Sequence, residues 1–136
     1  MTPSEYQNPI LCADYSDPDI VRVGDDFFMV SSSFNHVPAL PILHSTDLVN
    51  WTIINHVMDE LPLPGYDRYQ PGKGVWAPSI RWHDGKLWVC FSTPDEGIFI
   101  CHTEDPWGEW SAPHCLREAR GWIDPCPFWD DNGSFM

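Results

Sequence analysis

Asp17, Ala77 and Asp124 hold one position of a motif that occurs three times. It has a polar or small residue, a proline, one further residue and then an apolar one: Asp17-Pro18-Asp19-Ile20, Ala77-Pro78-Ser79-Ile80 and Asp124-Pro125-Cys126-Pro127, the last with its apolar residue displaced to Phe128. Two carboxylates facing a common space are the arrangement that glycoside hydrolysis uses. Asp beside Pro also commonly caps a turn, so spacing alone leaves both readings open. Asp14 and Asp19 are local competitors, but neither has an acidic counterpart at the matching position of the other units. The six histidines show no metal-ligand spacing, so no metal site is expected.

Whether two such carboxylates meet depends on the elements that carry them. Six to eight residues after each motif comes an acidic, glycine-rich turn followed by an aromatic or apolar run: Gly24-Asp25-Asp26-Phe27-Phe28, Asp84-Gly85-Lys86-Leu87-Trp88 and Asp131-Asn132-Gly133-Ser134-Phe135. A third feature is a short strand entering a turn closed by Trp, from His44 to Trp51 and from His102 to Trp110. The offsets agree: 60 from Pro18 to Pro78, 58 from Asp47 to Asp105, 47 from Pro78 to Pro125 and 48 from Gly85 to Gly133. Asp-Gly turns between β-branched and aromatic runs predict hairpins, here with strands at 27–31, 87–92 and 98–101. Each unit therefore reads as a small antiparallel meander.

Repeated four-stranded units with a recurrent Asp and Trp are the signature of β-propeller blades around a channel. A sandwich is the runner-up. In a propeller, equivalent positions of successive blades lie at one height around the axis, which brings Asp17 and Asp124 to the same mouth. The expected organisation is all-β, with units near 15–70 and 75–118 and the start of a third at 122–136. Propellers close with about 4 to 8 blades, and this length supplies about two and a half. Residues 1–136 are accordingly expected to be the N-terminal part of one propeller domain, with an open edge beside Met136 that invites self-association.

Composition narrows the partners. Seven Lys+Arg against twenty Asp+Glu give a net charge of −13, the wrong sign for a phosphate backbone, so nucleic acid is not expected. No apolar run approaches the roughly 20 residues of a helical membrane span, and no membrane partner is expected. Fourteen prolines would interrupt most long helices. The N-terminus lacks the basic and apolar regions of a secretory signal, which predicts a cytoplasmic location. Five cysteines without a CxxC pair fit free thiols. The sequons at Asn50 and Asn132 would matter only in a secreted context.

The ordered motifs carry a resemblance. Asn8-Pro9-Ile10 and Tyr15-Ser16-Asp17-Pro18-Asp19-Ile20-Val21-Arg22-Val23-Gly24-Asp25-Asp26-Phe27-Phe28 are similar to the opening of glycoside hydrolase family 43. So are Ser31-Ser32-Ser33-Phe34, the run from Leu43 to Trp51, Gly74-Val75-Trp76-Ala77-Pro78-Ser79-Ile80 and Gly121-Trp122-Ile123-Asp124-Pro125-Cys126-Pro127. The likeness spans essentially the whole chain and is strongest to the β-xylosidase and α-L-arabinofuranosidase branch.

The resemblance implies a five-bladed propeller, an inverting hydrolase and an oligosaccharide substrate containing xylose or arabinose. Asp17 matches the general base. Asp124 matches the second acid, which orients the general acid and adjusts its pKa. The general acid is a Glu near a Pro in the fourth blade and is absent from residues 1–136. Glu96, Glu104, Glu109 and Glu118 sit in hairpins or linkers and do not match it. Phe34 and Trp76 match residues that line the sugar pocket, and His36 is near enough to rim it. Trp51, Trp88, Trp107 and Trp110 are assigned to blade packing, and His36 and His83 to the surface or to loops. No cofactor is expected in this portion, since a channel calcium, if any, would be held by later residues. The different-class alternative is a non-catalytic carbohydrate-binding propeller module, in which the carboxylates only hydrogen-bond sugar hydroxyls.

Overall fold

A computed structural model describes residues 5–136. Eight strands follow in order: β1 (Asp19–Val23), β2 (Asp26–Val30), β3 (Ala39–Ser45), β4 (Thr52–Met58), β5 (Trp76–His83), β6 (Lys86–Thr93), β7 (Gly97–Thr103) and β8 (His114–Glu118). They form two four-stranded antiparallel sheets, β1-β2-β3-β4 and β5-β6-β7-β8. No helix occurs among the described residues.

Local chemistry explains the meanders. Asp84 and Gly85 both have positive φ, 48° and 75°. That is the two-residue turn whose twist matches the flanking strands, and it sets the register in which His83 pairs with Lys86 and Ile80 with Val89. Gly24, at φ 64°, turns β1 into β2. Farther out, Ser45 Oγ accepts from the N–H groups of Asp47 and Leu48, and Asp47 Oδ1 accepts from those of Val49 and Asn50. Thr103 Oγ1 likewise accepts from the Asp105 N–H, and Asp105 Oδ1 from that of Trp107. The 58-residue offset between these turns thus marks one device used twice.

The sheets meet along their first strands, with β5 packed on β1 and β2. They are neighbouring propeller blades fanning from a shared inner edge rather than the two full faces of a sandwich. One apolar cluster runs through both, including Val30, Leu40, Ile42, Val75, Ile80, Leu87, Val89, Phe91 and Phe99. Phe91, Leu40, Ile80 and Leu87 are fully enclosed, each worth roughly 1.5–3 kcal/mol of transfer free energy. β8 is exposed along its length and forms an outer edge.

Aromatic side chains close the seams. Trp107, half exposed, meets Phe28 and His44 in edge-to-face arrangements with ring centroids 5.6 and 5.3 Å apart, while Asn55 Nδ2 of β4 donates to the Pro106 and Gly108 carbonyls at 3.1 and 2.7 Å. Trp107 therefore packs between blades. His83, expected at the surface or in a loop, is half-buried at the end of β5 and stacks on Trp129 at 4.3 Å and 11°. Trp129 also bridges Phe135, and Phe128 and Met136 exchange backbone hydrogen bonds of 3.0 and 2.8 Å. Residues 128–136 thus form a short hairpin docked on the second sheet.

Candidate active site

Asp17 lies just ahead of β1, with its side chain exposed and φ at 51°; Asp124 is likewise exposed, with φ at 56°. A residue before proline ordinarily takes an extended backbone, and positive φ in a non-glycine residue is held only where the surroundings enforce it. Both aspartates break the rule in the same way. Leu40 also precedes a proline with positive φ, but it is enclosed in the core and presents no functional group. Ala77, the repeat-equivalent residue between the two acids, has no positive φ.

Contacts around β5 place the two acids on either side of it. Asp19 Oδ2, two residues after Asp17, accepts from the Ile80 N–H at 2.9 Å and from Arg81 Nη1 at 2.6 Å. On the other flank, Ser79 Oγ donates to the Pro125 carbonyl at 2.7 Å and Arg81 Nη2 lies 2.8 Å from Cys126 Sγ. The segments bearing Asp17 and Asp124 therefore bracket the inner strand that begins at Trp76.

Three consecutive serines join this bracket to the aromatics. Ser32 donates its backbone N–H to the Ser16 carbonyl at 3.0 Å and its hydroxyl to Asp17 Oδ2 at 2.7 Å. Ser33 exchanges two 3.0 Å backbone hydrogen bonds with Val75, and its Oγ accepts from the Leu40 N–H at 3.1 Å. Gly74 donates to the Phe34 carbonyl at 2.7 Å. Phe34 and Trp76 consequently come together edge to face, with centroids 6.2 Å apart and planes at 68°. The indole of Trp76 is fixed by its Nε1–H, which donates to the Gly72 carbonyl at 2.9 Å.

A cavity of about 260 Å³ opens beside Phe34, lined also by His36, Tyr66, Arg68, Tyr69 and Gln70. That lies just under the roughly 300 Å³ at which ligand pockets begin. The loop at 59–75 supplies most of these walls, and the Lys73–Asp95 ion pair ties it to the second sheet. Lys73 and Arg120 both meet the Asp95 carboxylate, the latter at 3.0 Å, and the Lys73 hydrogen bond above all holds that carboxyl below its ordinary range. Tyr66 Oη lies 2.8 Å from the Lys73 carbonyl and 3.0 Å from Glu96 Oε2. Burial, then Glu96, pushes its phenol well above the usual value, so it acts here as a neutral donor.

Of the residues singled out by sequence, Asp17, Phe34 and Trp76 are thus linked through the Ser32–Phe34 segment, and His36 lines the adjoining cavity. Asp124 flanks β5 on the other side, and its carboxylate takes no hydrogen bond among the described residues. Among those residues no group of three His, Cys, Asp or Glu side chains could hold a metal ion. Sequence reading missed Ser32, whose signal was its place one residue before Ser33-Phe34, and it missed Tyr66, Tyr69 and Gln70, which lie in a loop with no repeat counterpart. Chemically, the arrangement offers an exposed carboxylate steadied through one oxygen, with the other free to accept a proton, beside an aromatic corner able to pack on an apolar ring face.

Comparison with known proteins gives the site a setting. The family model described as glycosyl hydrolases family 43 matches residues 6–135. A xylosidase/arabinosidase of Butyrivibrio fibrisolvens is 42% identical over 132 residues, covering 93% of this chain and 25% of its own length. A non-reducing end alpha-L-arabinofuranosidase of Bacteroides ovatus is 38% identical, covering 88% of this chain and 23% of its own. The crystal structure of a GH43 protein from Bacillus licheniformis superposes with a TM-score of 0.85 at 32% identity, covering 96% of this chain and 28% of that one. The chain spans about a quarter of the length of the curated relatives it matches.

Proposed function

The chain belongs to glycosyl hydrolase family 43, and from that premise we propose that residues 1–136 supply the general-base side of an inverting glycosidase site for xylose- or arabinose-containing oligosaccharides. The observation that carries this reading is the Asp17 carboxylate, hydrogen-bonded by Ser32 at 2.7 Å on the segment that delivers Phe34 to Trp76. In the proposed reaction the free oxygen of Asp17 takes a proton from water as the water oxygen bonds to the anomeric carbon. The bond from that carbon to the leaving oxygen breaks, and the leaving oxygen receives a proton from a general acid outside residues 1–136. Asp124 serves that acid: a second carboxylate nearby raises the cost of ionising it and keeps it protonated near neutral pH. Base and acid about 6.5–9.5 Å apart leave room for the water.

Phe34 and Trp76 contribute an apolar wall against the C–H face of the sugar, and the neighbouring cavity takes the adjoining unit. A calcium ion in the channel, if the complete site uses one, would be held by residues outside 1–136. The names of the relatives, xylosidase and arabinofuranosidase, support the substrate class. Proton NMR of the first-formed sugar tests the reading in the longer protein that carries these residues. Direct attack by water releases the opposite anomer, whereas retained configuration removes the base role from Asp17.

A further inference from the structure

We propose that Ser32 is the positioning residue for the Asp17 carboxylate, a proposal that rests on the reading of Asp17 as the general base. Ser32 lies two residues beyond the end of β2, with only 2% of its surface exposed. It grips residues 16 and 17 at two points, through its backbone N–H on the Ser16 carbonyl at 3.0 Å and its hydroxyl on Asp17 Oδ2 at 2.7 Å. The positive φ of Asp17 and the ring of Pro18 fix the backbone, but they leave the side-chain torsions free. Among the described residues the Ser32 hydroxyl is the one hydrogen-bond donor to that carboxylate. A hydroxyl donating to a carboxylate is a short, charge-assisted bond, and it occupies one oxygen while leaving Oδ1 to face water.

The second blade holds an internal control. Ser92 follows Ser32 by 60 residues, the same offset that separates Pro18 from Pro78, and at this offset Ala77 replaces Asp17. Ser92 pairs with Trp76 across β5 and β6 and is fully buried, yet its Oγ has no hydrogen-bond partner. The same serine in the same place is thus idle where no carboxylate stands opposite and engaged where one does. The blade itself does not require the bond. Its use in the first blade belongs to Asp17.

The test uses the longer active protein with Ser32→Ala, Ser32→Thr, Ser92→Ala and Asp17→Asn, assayed on an aryl xyloside and an aryl arabinofuranoside. Loss of a fixed base geometry lowers kcat while leaving ground-state binding in place, and misplacement by about 1 Å costs up to roughly 10²-fold. Ser32→Ala should therefore lower kcat about 10- to 100-fold with KM changed less than about twofold. Ser32→Thr, which keeps the hydroxyl, should recover most of the rate. Ser92→Ala should match wild type. If Ser32→Ala fails to fold, Ser32→Cys preserves the size with a weak donor and should show the same kcat loss at unchanged KM. A Ser32→Ala or Ser32→Cys enzyme within about threefold of wild type, or an equal loss in Ser92→Ala, overturns the proposal. Asp17→Asn separates the two claims: if it is inactive while Ser32→Ala is fully active, only the positioning role falls, and if it stays active, the base assignment falls and the positioning role with it.

Discussion

Asp19 and Arg81 meet at 2.6 Å across the seam between the two blades, and the same carboxylate oxygen accepts the Ile80 backbone N–H at 2.9 Å. This contact joins the first strand of one blade to the first strand of the next, two residues after Asp17. Both side chains are about one-third exposed, at 31% and 37%, so solvent screens part of the attraction. Hydrogen bonds to charged groups are nevertheless among the stronger ones. Asp19→Asn is expected to destabilise residues 1–136 by about 1–2 kcal/mol, read as a lower urea midpoint at unchanged slope. Asp14→Asn, which alters an exposed residue, is the matching neutral control, and equal midpoints for the two variants would contradict the seam's role.

Gly74 is the tightest backbone approach at the site. A Cβ there would collide with the Ser33 carbonyl oxygen and come within 2.7 Å of the Phe34 carbonyl. Because these are backbone atoms paired to Val75 and to Gly74 itself, relief requires the strand junction to open. Gly74→Ala is expected to lower the melting temperature by several degrees and to weaken sugar binding by separating Phe34 from Trp76. The equivalent change at Gly24, in the β1–β2 turn, meets no neighbour but has φ at 64°, and should cost stability only through strain of about 1 kcal/mol. Equal losses of sugar binding would show that the Phe34–Trp76 corner does not depend on Gly74.

Asp47 makes the acid limb of stability predictable. The Asn50 N–H first, with the Asn50 side chain and the Val49 N–H, holds its carboxyl far below the ordinary range. A carboxylate depressed in the folded state contributes fully above its unfolded value of about 3.9 and loses that contribution as pH falls toward the folded value. Asp95, depressed by Lys73, acts in the same direction. Stability should therefore fall as pH drops below about 4, and Asp47→Asn should flatten that limb. An unchanged profile in the variant would remove Asp47 from the account.

The thiols divide by burial. Cys90 and Cys101 are enclosed, and desolvation pushes each up to about 12, while Cys12, Cys115 and Cys126 are exposed. The three exposed cysteines should react with a disulfide reagent at pH 8 in native buffer, and all five only after denaturation. Rapid reaction of Cys90 or Cys101 in native buffer would mean that the β5–β8 sheet opens.

The blades were legible because their signals are local. Asp84-Gly85 between apolar runs specifies its turn by backbone chemistry alone, and the recurrence of Asp47 and Trp51 at Asp105 and Trp110 reported the second blade. Asp17, Phe34 and Trp76 stood out by motif. What escaped depends on contacts between distant segments. Asp19 looked like a competitor without a counterpart because its partner, Arg81, lies 62 residues away, on a strand whose height against β1 no repeat pattern states. His83 read as a surface or loop residue because its stacking partner, Trp129, belongs to the next unit. Ser32 was hidden within a run of serines, though its echo at Ser92 was present in the sequence. The cavity walls at Tyr66, Tyr69 and Gln70 lie in an irregular loop, where no periodicity points to a face.

The central claim is that Asp17 is the base, and turnover of Asp17→Asn in the longer protein carrying these residues tests it most directly. Asparagine keeps the size and can still accept the Ser32 hydroxyl, but it cannot take a proton from water. General-base assistance is typically worth about 10²- to 10⁴-fold. The account predicts a fall in kcat of roughly 10²-fold or more with KM little changed, whereas retention of more than about a tenth of wild-type turnover would contradict it.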